Sequence, residues 1–115
     1  MKDVKQFPNR FDPFRPPVHL SEESRQWWEW IIDEYELDEG SAPILQAALE
    51  ARDRAAEARK ILGKEGMTVL DRFEQTKAHP CIAIERDSLG LLVRSWRALG
   101  LGEEPPRPVG RPPAT

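Results

Sequence analysis

Apolar residues recur at helical spacing in three stretches of this chain, separated by short polar or glycine-marked breaks. The first stretch opens at Ser21, a good N-cap, with Leu20 before it to staple the first turn and Glu22 and Glu23 after it, where the helix dipole favours acids. Trp27, Trp28, Ile31, Ile32 and Tyr35 then share one broad face, with Trp30 at its margin. The tryptophans are expected to anchor a small core, and Trp30 is the one expected to face a partner. Gly40 and Ser41 break this helix and cap a second, which has Pro43 in its first turn. From Ile44 to Leu62 the positions Leu45, Ala48, Leu49, Ala55, Ala56 and Leu62 repeat at helical spacing, and the small alanines permit the close packing of a helical hairpin. Gly63 and Gly66 are expected to end it.

Met67 to Ala78 has no helical period, and Met67-Thr68-Val69-Leu70 can form a short extended or β segment. His79-Pro80 then marks a sharp helix start, because Pro at the first helical position loses no intrahelical hydrogen bond. This third, long helix runs to about Leu99, with Gly100 as its stop. Its main stripe is Ile82, Leu89, Leu92, Val93, Trp96 and Leu99, while Ile84 and Leu91 lie on nearly the opposite side. A helix apolar on two sides is packed on two sides, so Ile84 and Leu91, with Trp30, are candidates for an oligomer interface. The pattern predicts a mainly α fold: an extended arm over residues 1–19, a helical domain over 20–101, and a flexible Pro/Arg tail over 102–115.

Composition sharpens this picture in two respects. Among 115 residues, 39% are hydrophobic and 32% charged, a lean core with much charged surface, which favours completing burial by oligomerisation. Eleven Pro and seven Gly sit mostly near the ends, and Phe7, Phe11 and Phe14 interleave with prolines in the N-terminal arm, suggesting that it docks on this core or on a neighbour. No apolar run is long enough to span a membrane and no signal segment opens the chain, so the expectation is a soluble protein with no membrane partner.

Chemistry-bearing residues are sparse. Cys81 is the only cysteine, which excludes an internal disulfide and a Cys-based zinc cluster. His19 and His79 both sit beside helix starts, far apart in sequence, and His79 reads as a cap rather than a base. No Gly-rich phosphate loop is present, and the acids between Glu22 and Glu39 read as a solvated helix face. The expectation is a protein without catalytic residues, metal or cofactor.

Charge is distributed more informatively. Residues 21–40 hold eight acids against Arg25, a local balance of −7 in a chain of net charge −3, which leaves the remainder at +4. DNA would therefore avoid the first helix and approach Arg52, Arg59 and Lys60 on the second, the basic arm, or Arg107 and Arg111 in the tail. The tail's Gly110-Arg111-Pro112 is similar to the core of an AT-hook, with Val109 where Arg is usual, although a Pro-rich terminus is the simpler reading.

The order of these elements resembles the small subunit of phage terminases. The residues that carry the resemblance are Pro16-Pro17-Val18-His19-Leu20-Ser21, Trp27 and Trp28, the Ala-rich stretch Ala47 to Ala58, Gly66-Met67-Thr68-Val69, His79-Pro80, and Leu99-Gly100-Leu101 before a Pro/Arg tail. Two features depart from it: Leu70 to Lys77 lacks the Gly/Asn turn such members often carry, and the tail continues to a Gly-Arg-Pro. The resemblance implies a subunit of the host cytoplasm that forms a ring, binds the packaging site of double-stranded viral DNA and presents it to the large subunit, which holds the ATPase and nuclease. The alternative is a non-catalytic helical adaptor or regulator that binds protein. An enzyme would require His79 and an acid to converge in a pocket.

Overall fold

The computed structural model describes residues 15–102 and contains α1 (Glu22–Glu34), α2 (Ala42–Glu65), β1 (Thr68–Leu70), β2 (Thr76–Ala78) and α3 (Pro80–Ala98). The mainly α architecture, a helical hairpin plus a long third helix with a short β segment before it, is the one expected. Most of the arm, including Phe7, Phe11 and Phe14, and the tail from residue 103 lie outside the described residues.

Helix α1 begins as its sequence dictates, with the Ser21 hydroxyl accepting from the Ser24 amide at 3.1 Å. It ends earlier than Gly40, at Glu34, with Tyr35 extended. Asp33, Glu34 and Glu36 crowd the negative end of the helix dipole and no basic residue sits in the last turn, so further helix is disfavoured there. Asp38 then turns the chain, its side chain and carbonyl both accepting from the Ser41 amide. Helix α2 passes through Gly63 and stops at Gly66, whose φ of 84° suits a residue without Cβ.

The two strands pair antiparallel, Val69 opposite Lys77. Their turn forms without glycine: Asp71 accepts from the amides of Phe73 and Gln75 at 2.8 and 2.9 Å, and Glu74 takes the left-handed position at φ 61°. This hairpin reverses the chain, so that α3 returns antiparallel along α2, with Glu65 beside His79 and Arg59 beside Glu85.

The most extensive helix pairing is between α2 and α3. Its buried positions are small: Ala48, Ala51, Ala55 and Ala58 on α2, and Cys81, Ser88 and Ser95, seven residues apart, on α3. Small side chains at heptad spacing let the two backbones approach closely, and this displaces the larger residues to the flanks. The stripe expected as the buried face of α3 is therefore only partly covered. Leu89 is 38% and Val93 46% exposed, while Ile82, Leu92, Trp96 and Leu99 are half-buried. Ala56, expected on the packed face of α2, is exposed, and Ala51 and Ala58 take its place.

The large-residue core gathers at one end of this pair. Leu20, Trp28 and Ile31 meet Leu45 and Leu49 of α2 and Leu101 beyond α3, with Ile32, Tyr35, Leu37, Trp96 and Leu99 packed around them. Of the first helix's tryptophans only Trp28 is fully buried; Trp27 is 39% and Trp30 47% exposed. The α1 helix covers one end of the pair and leaves the other end, with the β-hairpin, as a two-helix extension.

Candidate functional site

The titratable clusters of the described residues hold elements together. Asp53 on α2 accepts from the Ser21 hydroxyl (2.7 Å), the Ser21 amide (2.8 Å) and the fully buried Ser24 hydroxyl (2.6 Å), pinning the start of α1 to α2. Burial pushes the Asp53 carboxyl up, but the hydrogen bonds from Ser24 and Ser21 and the nearby Arg52 outweigh it and hold its pKa below the ordinary aspartate range. Glu50 is likewise lowered, by the Gln46 hydrogen bond against the cost of burial and then by His19, 2.7 Å away.

His79 is the N-cap of α3. Its Nδ1 accepts from the Cys81 amide at 3.0 Å, which requires that nitrogen to be unprotonated and leaves Nε2–H to donate to Glu65 at 2.8 Å. The ring is buried and tied to the ends of both long helices. His79→Ala should cost about 1–2 kcal/mol in a denaturant titration, with His79→Asn recovering part of it as an alternative cap. No group of three His, Cys, Asp or Glu among the described residues is placed to hold a metal ion.

The cations suggested by the sequence separate into distinct environments. Arg52 lies 3.0 Å from Glu23 and donates to Ser24, and its side chain is only 25% exposed. Arg59 pairs with Glu85 at 2.7 Å yet remains 76% exposed, and Lys60 is exposed beside it. Arg107 and Arg111 lie outside the described residues. Two further cations, Arg94 and Arg97, were not among the sequence candidates; they are exposed in the last part of α3, a stretch without acids. Counting acids around each Arg along that helix would have found them.

Apolar surface remains open in three places. Ile84 is 45% exposed and, with half-buried Leu91, lines a shallow depression shared with Arg54 and Arg94. On the hairpin, Met67, Leu70 and Phe73 are 65–68% exposed, with the Arg72 guanidinium 5.0 Å from the Phe73 ring centre. The third place is the junction of α1 and α3. Trp27 makes edge-on contacts with Trp30 at 5.6 Å and Trp96 at 5.9 Å, and Trp30 continues to Tyr35 at 6.0 Å. Beside the touching Trp27 and Trp96 rings lies a groove of about 610 Å³, lined also by Leu92, Val93 and Leu101 and by the cations Arg52 and Arg97. The predicted interface residues thus fall on two surfaces: Ile84 with Leu91 on one flank of α3, and Trp30 on the aromatic row. No helix of the described residues is long and apolar enough to cross a membrane.

Comparison of the chain with family models, curated proteins and solved structures returns no match.

Proposed function

We propose that this chain is a non-catalytic DNA-packaging subunit of the phage terminase small-subunit type. In this reading it associates with copies of itself in the host cytoplasm, binds double-stranded viral DNA, and hands it to a large subunit with ATPase and nuclease activity. The observation that carries the proposal is the surface of α3, where exposed Arg94 and Arg97 lie beside open apolar flanks in a stretch of that helix without acids. A surface that is part cationic and part apolar suits a subunit that needs both a polyanion and neighbours. The ordered motifs from Pro16-Pro17 to His79-Pro80 support the same reading, and they do so at the caps and turns of the fold.

Two outcomes test the parts separately. Leu91→Glu should lower the native mass of an assembled protein to that of the subunit while leaving its helical circular dichroism unchanged; loss of helix instead would place Leu91 in the core. For DNA, Arg94→Ala with Arg97→Ala should weaken binding across all sequences and flatten the log affinity versus log salt slope by about 2, roughly one for each phosphate no longer neutralised. An unchanged slope would remove α3 from the DNA surface. A protein that stays a subunit at all concentrations and ignores viral DNA would favour the adaptor reading, to which the aromatic groove is also suited.

A further inference from the structure

The last turn of α3 directs the chain into the wall of the aromatic groove. Gly100 adopts φ 76° and its amide bonds to the Arg97 carbonyl, while the Leu101 amide reaches back to the Trp96 carbonyl at 3.1 Å. This is a Schellman ending, in which the residue after the left-handed glycine packs back on the helix. Leu101 accordingly enters the core at 2% exposure. Gly102 follows with a second left-handed φ of 85° and lies against the Trp96 indole, itself a wall of the groove. The chain thus turns twice to arrive where Trp27 and Trp96 are open to solvent.

The sequence that leaves this point is Glu103-Glu104-Pro105-Pro106-Arg107-Pro108. Two acids begin it, and the cations Arg52 and Arg97 edge the groove. Arg97 is the better partner, since Arg52 already meets Glu23 at 3.0 Å. Prolines follow, and proline rings in an extended left-handed helix are the segment type that aromatic-lined grooves recognise, because the ligand loses little conformational entropy on docking. Gly102 itself lines the groove, so at roughly 3.1 Å per residue in that conformation Pro105 and Pro106 are within reach of the groove beside the two indoles.

We propose that the Trp27–Trp96 groove is a receptor for a proline-rich segment and that its occupant is this chain's own residues 103–108, docked in cis with Glu103 or Glu104 against Arg97. Tethering sets the effective concentration of such a segment near millimolar, so even a weak intrinsic affinity keeps it docked. The docked segment covers Trp27 and the open part of Trp96, and any other Pro-rich ligand must compete with it. Docking of this kind requires neither DNA binding nor self-association.

The test uses the full chain and the indole N–H resonances of its four tryptophans. Pro105→Gly with Pro106→Gly changes only the tail, so the helical domain is unaffected. It should shift the Trp27 and Trp96 signals and raise acrylamide quenching of their fluorescence about twofold, leaving buried Trp28 unmoved. Arg97→Glu should produce the same shifts, and Arg97→Glu combined with Glu103→Lys and Glu104→Lys should restore the original positions. Unmoved Trp27 and Trp96 signals in the proline variant overturn the proposal. So does a wild-type Trp27 signal that moves with protein concentration, which would mean that a second copy occupies the groove.

Discussion

Ala55→Leu should destabilise the protein by about 3 kcal/mol, the upper range for overpacking a close-packed interior. Ala55 is 5% exposed on the α2 face that meets α3, and the opposing positions Cys81, Ser88 and Ser95 are equally short. Four methyl-sized positions against three short polar ones leave no volume for an isobutyl group unless the helices separate. Separation would also pull Trp96 and Leu99 away from the Leu45 and Leu49 cluster. Ala56→Leu, one position along on an exposed face, should change stability by less than about 0.5 kcal/mol. Chemical denaturation of the pair measures the difference directly. Equal effects would mean that α2 and α3 are not held by a small-residue seam. With a total stability of about 5–15 kcal/mol expected for a domain of this size, the Ala55 variant would be visibly less stable at ambient temperature.

Asp53→Ala should cost about 2 kcal/mol, because it strands the hydroxyl of the fully buried Ser24 rather than merely leaving a gap. Ser24 is fully buried and its hydroxyl donates to Asp53, while the Ser21 amide and hydroxyl donate to the same carboxylate. Asp53→Asn keeps one acceptor oxygen and should lose less. The same group imposes a pH dependence whose sign follows from its lowered pKa. The unfolded chain protonates this carboxyl near the ordinary value of about 3.9 and the folded protein only below it. The stabilisation is therefore complete above about pH 4 and is lost as pH falls through the folded value. Glu50, also lowered, adds a contribution of the same sign. In an acid titration of stability, wild type should fall more steeply below pH 4 than Asp53→Asn; parallel curves would show that Asp53 is not preferentially ionised in the fold.

These two variants touch what was hardest to read in the sequence. The caps at Ser21 and His79-Pro80 and the turn of Gly66 were legible because capping chemistry is local and acts within a few residues. The Asp53 knot was not, since its serine partners are 29 and 32 residues away. The turn at Asp71 was partly hidden, because a carboxylate bonding to two backbone amides does the work usually signalled by glycine. For the candidate site, Arg59, Lys60, Ile84, Leu91 and Trp30 were reached as exposed or half-exposed groups, whereas Arg52 proved to be engaged with Glu23 and Ser24. The Trp27–Trp96 groove and the open hairpin residues Met67, Leu70 and Phe73 had no signal in periodicity.

The sequence by itself determined that this chain is mainly helical, where α2 and α3 begin, and that α3 is apolar on more than one side. Only the tertiary structure decided which of those apolar residues are covered. Helical periodicity reports hydrophobicity around an axis, but it carries no information on how near the neighbouring axis comes. Here Ala, Ser and Cys draw α2 and α3 together, the short α1 covers one end alone, and large residues that a wider spacing would have buried are left at the surface.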